Sequence, residues 1–194
     1  MTEVTRALPN GLDFVLEQTT NFPPDLESQA VELTALVFPD EDALDGKFYY
    51  DTPPALIAYA LDGECLVALR PIDRRKLVLA GQTIELAGGI IPTVHPDYRR
   101  QGIASAMVNL LLADFAAIGI DYSLAFLFDG APERFLDPFD YTRLEHEFIY
   151  TDRDTGEDVT ETARAYGRAM RELEPEVKAA FASKCRLHLG RGTW

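Results

Sequence analysis

The chain has 194 residues, 47% hydrophobic, 10% aromatic and 26% charged, too apolar for a disordered chain and suited to one globular domain over residues 1–194. Its 18 basic and 32 acidic residues leave a formal net charge of −14, which argues against nucleic acid as a partner. No run reaches the length of a membrane span, the first residues lack a signal-peptide layout, and Cys65 and Cys185 form neither a disulfide framework nor a metal-ligand spacing. A cytoplasmic protein without metal or membrane partner is expected.

Leu12, Phe14 and Leu16 alternate with Asp13 and Glu17 and predict a first strand. Pro24-Asp25 opens a helix with Leu26, Ala30, Leu33 and Val37 at helical spacing, closed by Phe38-Pro39. Residues 40–54 form a loop or short helix with five acids and the Phe48-Tyr49-Tyr50 cluster. A hairpin follows, from Ala55 to Leu61, through Asp62-Gly63, and back from Glu64 to Leu69. Arg74, Arg75 and Lys76 lead to a short strand at Leu77–Leu79, and Ala80-Gly81-Gln82 turns into a strand from Thr83 to Val94.

After Pro96 the pattern changes. Ile103, Met107, Leu110, Leu111, Phe115 and Ile118 share one broad helical face, with Gly119 as the stop. Tyr122 to Phe128 is nearly all apolar, as in a strand buried on both faces. Strand, crossover helix and buried strand make one right-handed βαβ unit, so its two strands should be parallel neighbours. A short helix at 131–136, an alternating strand from Tyr141 to Tyr150, a helix over 160–174, another opened by Pro175, and a last strand through Cys185, Leu187 and Leu189 complete the reading. The expected fold class is α+β: a mixed, mostly antiparallel sheet flanked by helices, with one parallel pair.

The informative stretch is Val94-His95-Pro96-Asp97-Tyr98-Arg99-Arg100-Gln101-Gly102-Ile103-Ala104-Ser105, between a buried strand and the most apolar helix. The first turn of that helix offers N–H groups without intrahelical acceptors at the positive end of the peptide dipoles. A phosphate pair fits there. Gly102 lets a ligand approach the backbone, Ala104 and Ser105 are small, and Arg99 and Arg100 add positive charge. Neither a Walker loop nor a dinucleotide fingerprint is present.

Val-x-Pro-x-Tyr-Arg-x-x-Gly-x-Ala, after a strand and opening a helix, resembles the acetyl-CoA-binding motif of the GNAT acetyltransferase superfamily. The element order from about 55 to 150 agrees with that fold. The resemblance implies that the backbone of Arg100, Gln101, Gly102, Ile103, Ala104 and Ser105, with Arg99 beside it, holds the pyrophosphate of acetyl-CoA. It implies too that Pro92, Thr93 and Val94 run beside the pantetheine arm, and that this strand and the one at 122–128 splay apart at their ends. A proline within a buried strand favours the bulge such a splay needs. Residues 77–94 and 129–141 further resemble Eis-type acetyltransferases. The terminal Gly-x-x-Trp resembles the end of aminoglycoside 2′-N-acetyltransferases.

The implied reaction moves an acetyl group from acetyl-CoA to a primary amine of a small cationic acceptor, an aminoglycoside-like antibiotic or a polyamine. The tyrosine that many family members use to protonate the leaving thiolate is missing, since Phe135 or Leu136 stands at its place and Tyr141 belongs by pattern to the next strand. The catalytic candidates are Asp129, at the end of the buried strand, and the terminal carboxylate of Trp194; a helix cap and a frayed chain end are the structural alternatives. His146 reads as a partly buried, hydrogen-bonded histidine, and His95 and His188 as surface residues. Residues 1–64 carry 13 acids against Arg6 and Lys47, a net of −11 that would attract a cationic acceptor or serve solubility. A non-catalytic acyl-CoA-binding module, or transfer of a longer acyl chain, stays open, as does a homodimer.

Overall fold

The computed structural model describes residues 4–41, 44, 46–49, 52–89, 92–127, 133–161 and 163–192. Their strands are β1 (Val4–Ala7), β2 (Asp13–Gln18), β3 (Leu56–Asp62), β4 (Cys65–Leu79), β5 (Gln82–Gly89), β6 (Thr93–Val94), β7 (Tyr122–Leu127), β8 (Thr142–Arg143), β9 (Glu147–Thr151), β10 (Asp158–Thr160), β11 (Arg164–Ala169) and β12 (Arg186–Arg191); the helices are α1 (Pro24–Val37), α2 (Ile103–Ala117) and α3 (Pro175–Ala182). The class is α+β, as expected. The chain divides into two units, residues 1–72 with 91–111 and residues 73–90 with 112–194.

In the first unit β1, β2, β3, the first half of β4, and β6 pair antiparallel in that order. Helix α1 starts at Pro24, where a missing N–H costs nothing, with Asp25 and Glu27 against the positive end of its dipole. It stops at Phe38, whose N–H bonds Thr34 O. Its buried Ala30 and Leu33 pack with Val15, Ile57, Tyr59, Leu66 and Leu69 from the alternating strands. Strand β1, unforeseen in the sequence, pairs along β2 from Val4↔Leu16 to Ala7↔Asp13. The hairpin turn lies one residue later than expected, between paired Asp62 and Cys65, with Gly63 at φ +60°.

The second unit holds the rest of β4, then β5, β7, β11 and β8. Strand β4 runs for 15 residues through the stretch read as two short strands. Its basic cluster is strand: Arg74 and Lys76 both reach Glu85 of β5 at 3.2 Å, while Leu77 and Leu79 turn into the core. Strands β5 and β7 are parallel, from Leu86↔Tyr122 to Gly89↔Ala125, as the βαβ reading expected. Every residue of β7 is buried. Helix α2 is closed by Gly119 at φ +80°, with Ile120 N–H bonded back to Phe115 O at 2.9 Å.

The described residues of 160–174 do not form a helix. Thr160 ends β10, and Arg164–Ala169 is β11, paired antiparallel with β7 on one side and β8 on the other. Helical propensity here yields to packing: the ring of Tyr122 covers Gly167 so closely that a Cβ there would stand 2.4 Å from it. The alternating run at 141–150 is likewise split. Thr142–Arg143 pairs with β11, whereas Glu147–Thr151 joins a separate sheet, β10-β9-β12, in which β9 and β12 are parallel. The short helix expected at 131–136 gives way to 3-10 turns at Glu133–Phe135 and Asp137–Phe139. Pro175 opens α3, which buries Val177 and Phe181, and Phe181 stacks on Tyr122 with ring centroids 4.0 Å apart.

Candidate active site

The motif from Val94 to Ser105 lies in the first unit and is built by its backbone. His95 N–H extends the strand pairing to Val67 O, after which Pro96–Tyr98 makes a 3-10 turn. His95, half-buried, caps that turn by accepting Asp97 N–H at Nδ1 (3.3 Å). Arg99 Nε donates to Val94 O at 3.1 Å, and Gln101 Nε2 to Asp97 O at 3.1 Å, so the loop folds back on itself. Tyr98 OH donates to Asp62 at 2.7 Å and ties the loop to the hairpin; that bond holds the Tyr98 phenol above its ordinary pKa.

Two residues then adopt left-handed backbone, Arg100 at φ +63° and Gly102 at φ +79°. The first helical bond runs from Ala106 N–H to Gly102 O at 2.9 Å. The amides of Ile103, Ala104 and Ser105 precede it and have no acceptor within the helix. A Cβ built on Gly102 meets nothing within 4 Å, so the space in front of this helix start is open. Arg100 is exposed beside it, and Ile103 points its side chain into the core, leaving its amide as the group that can bind. These features fit a pyrophosphate.

Pro92, Thr93 and Val94 are buried. Strand β6 pairs with β4 one residue out of the register that β5 keeps with it. Asp129 and Trp194 lie outside the described residues, as do Asp42, Asp45 and Asp51 of the acidic loop; its Asp40 and Glu41 are exposed.

Tyr141 precedes β8, and its hydroxyl hydrogen-bonds Ser123 Oγ at 2.6 Å. Ser123 is near the start of β7, about 13 Å along the strand from Leu127 at ~3.3 Å per residue. His146 is half-buried, with Nε2 2.9 Å from Phe181 O and Nδ1 3.4 Å from Cys185 Sγ. His188 is exposed and pairs with Asp158 at 3.1 Å.

Sequence reading passed over Asp73 and Arg75. They share the face of β4 that carries Leu77 and Leu79, and their side chains are only 17% and 12% exposed. Burial pushes the Asp73 carboxyl up to about 6 against the pull of Arg75 and Arg153. The signal was present as a charged pair at i, i+2 on the apolar face of an alternating strand. Among the described residues no group of His, Cys, Asp and Glu is arranged to hold a metal ion, and no helix is long and apolar enough to cross a membrane.

The chain resembles several solved structures. A GNAT family N-acetyltransferase (YhbS) from Escherichia coli, in complex with CoA, is 16% identical, with 97% of this chain and 92% of that one covered and a TM-score of 0.57. A GNAT family acetyltransferase from Brucella melitensis, in complex with acetyl-CoA, is 14% identical over 84% and 92%, at 0.50. An aminoglycoside 6′-N-acetyltransferase complexed with coenzyme A is 15% identical over 82% and 98%, at 0.51. These likenesses establish a shared fold. The chain spans about a third of two longer relatives, 32% and 34% of their lengths. No curated protein matches it. The family profile described as "Acetyltransferase (GNAT) domain" matches residues 21–143, more than half of the chain. The chain therefore belongs to the GNAT acetyltransferase family, whose activity is acetyl transfer from acetyl-CoA.

Proposed function

We propose that this protein moves the acetyl group of acetyl-CoA to a primary amine of a small cationic acceptor. The observation that carries the reading is the start of α2, where left-handed Arg100 and Gly102 precede three amides without intrahelical acceptors, facing open space. Those amides and Gln101 hold the pyrophosphate, and Arg100 supplies charge from the rim. Thr93 and Val94 line the pantetheine arm. When bound, acetyl-CoA supplies the thioester and the leaving thiolate. The acceptor must shed a proton to attack, and Asp129 and the Trp194 carboxylate are the candidates named by the sequence to assist it. The excess of acid in residues 1–64, with Asp40 and Glu41 exposed, favours an ammonium-bearing acceptor such as an aminoglycoside or polyamine.

The test is calorimetric titration with acetyl-CoA of the wild type and of Gly102→Glu, whose carboxylate would stand where the phosphates bind. Micromolar binding by the wild type, weakened at least ~100-fold in the variant, is expected from burying a like charge against a diphosphate. Absence of wild-type binding refutes the reading. A second reading, an acyl-CoA-binding module without turnover, draws on Tyr141, whose hydroxyl is engaged with Ser123. Thiol release with a panel of amines separates the two, because the module binds without release.

A further inference from the structure

The second unit contains a cavity of its own, with a volume of about 480 Å³. It lies between the start of β7, strand β11, the edge strand β8 and the C-terminal half of α3, and its lining comes from residues 112–194 alone. Strand register makes it. Thr142 of β8 pairs with Gly167 of β11, and Gly167 with Leu124 of β7, so the three share the sheet face that α3 covers. Gly167 has no side chain to fill that row. The Tyr122 ring lies over it instead and stacks on Phe181 of α3, and Leu144 and Leu173 continue the apolar wall.

Its polar groups are donors in want of an acceptor. Tyr122 is only 6% exposed, yet its hydroxyl makes no hydrogen bond among the described residues. That oxygen is not sealed from solvent either, so it opens into the cavity that the residue lines. Burial, with the Tyr141 phenol nearby, pushes its pKa up to about 12, and it keeps its proton at neutral pH. A desolvated O–H without an acceptor costs stability that an acceptor on a ligand would offset. The Thr142 hydroxyl, beside Gly167 on the same face, makes no hydrogen bond among the described residues. Lys178 is the third donor. Its contact with Glu172, at 3.2 Å between two exposed side chains, is weak enough to yield. The charges of the lining are Arg143, Arg168 and Lys178 against Asp140 and Glu145, a positive excess in a chain whose net charge is −14.

We propose that this cavity is a binding site for a small carboxylate with an apolar body, of the class of the aromatic acids. The carboxylate accepts from the hydroxyls of Tyr122 and Thr142, with Lys178 as its counter-ion. The body packs against Phe181, Leu144 and Leu173. The volume suits a ligand of that size, and the mixture of an apolar wall with a few convergent donors is what such ligands require. The site uses no residue of the motif and goes beyond the transferase reading.

The test titrates naphthoate into the full chain, followed by the NMR shifts of the backbone amides, with neutral naphthamide beside it. Saturable binding of the carboxylate is expected, with the shifts centred on residues 140–145, 167–169 and 178–183. The amide should bind ~10-fold more weakly or worse, the worth of hydrogen bonds to a charged group. Tyr122→Phe keeps the ring and removes the hydroxyl. It should weaken naphthoate by ~10-fold or more without lowering the melting temperature, because that hydroxyl fastens nothing in the folded chain. Thr142→Val, at an exposed position, should weaken it by ~3-fold or more and decides the matter if Tyr122→Phe does not fold. No saturable binding of naphthoate up to about 10 mM overturns the proposal. So do shifts centred on other residues, equal affinity for the amide, or unchanged affinity in folded Tyr122→Phe. Acetyl-CoA binding is measured apart from all of these, so the transferase reading stands or falls separately.

Discussion

Gly88→Ala tests the close approach that holds the parallel pair together. An added Cβ at Gly88 would lie 1.9 Å from the carbonyl oxygen of Leu124 and 2.8 Å from its carbonyl carbon. Ordinary contact begins near 3.4 Å, so one backbone must move by about 1.5 Å, and no side-chain rotation can relieve the clash. Overpacking costs about 1–3 kcal/mol, and loss of two ladder hydrogen bonds adds about 1 kcal/mol each, for a total of about 3–5 kcal/mol. At about 2–4 °C per kcal/mol for a chain of this size, the melting temperature should fall by roughly 6–20 °C. The assay is thermal unfolding followed by circular dichroism, beside Gly81→Ala. Gly81 sits in the β4–β5 turn at φ +76° with nothing within 4 Å of its Cβ, so that variant carries only backbone strain, about 1 kcal/mol. Equal melting shifts in the two variants would refute the argument that strand approach, and not conformation, demands glycine at 88.

Three further outcomes follow from the same geometry. Gly167→Ala should also destabilise, by about 1–3 kcal/mol, because its Cβ meets the Tyr122 ring; the double variant Gly167→Ala/Tyr122→Leu should recover part of that loss in urea unfolding. Asp121 is partly desolvated, which raises its pKa, but the hydrogen bonds from Arg171 and from Glu85 N–H (2.9 Å) outweigh this and hold the carboxyl below its ordinary value of 3.8. Its contribution is present above that value and lost as pH falls through the depressed one, so the melting gap between wild type and Asp121→Asn should be full at pH 7 and should narrow below pH 4. Arg75→Ala leaves the carbonyls of Leu189 and Gly192 without that donor, at about 1–3 kcal/mol. Amide hydrogen exchange along β12 should quicken while β1 to β3 are unchanged; uniform exchange would show that Arg75 does not fasten this end.

The local signals were read correctly where one residue type had one physical role. Pro24-Asp25 could only begin a helix, Gly119 could only end one, and the unbroken apolar run after it required a strand covered on both faces. The helix start after the loop from Val94 was legible for the same reason, since amides without intrahelical acceptors follow from a helix start and Gly102 stands at positive φ. Where propensity and packing disagreed, packing decided. Arg164–Ala169 contains good helix formers, yet Gly167 beneath Tyr122, with β7 and β8 on either side, makes it a strand. Likewise, nothing between Tyr141 and Tyr150 marks the passage from one sheet to another, because the partners that separate them, β11 and β12, are far along the chain.

Asp73 is the sharpest case. As a letter in Pro-Ile-Asp-Arg-Arg-Lys it reads as part of a charged stretch between two short strands. Its burial, the 3.8 Å to Arg75 and its place opposite Gly88 come from strands that assemble only in the folded chain. Composition, the motif and the order of elements determined by themselves the fold class and the family, since each depends on neighbours within a few residues. Tertiary structure alone decided which side chains lost their water and which strands paired, because desolvation and register are properties of residues distant in sequence brought side by side.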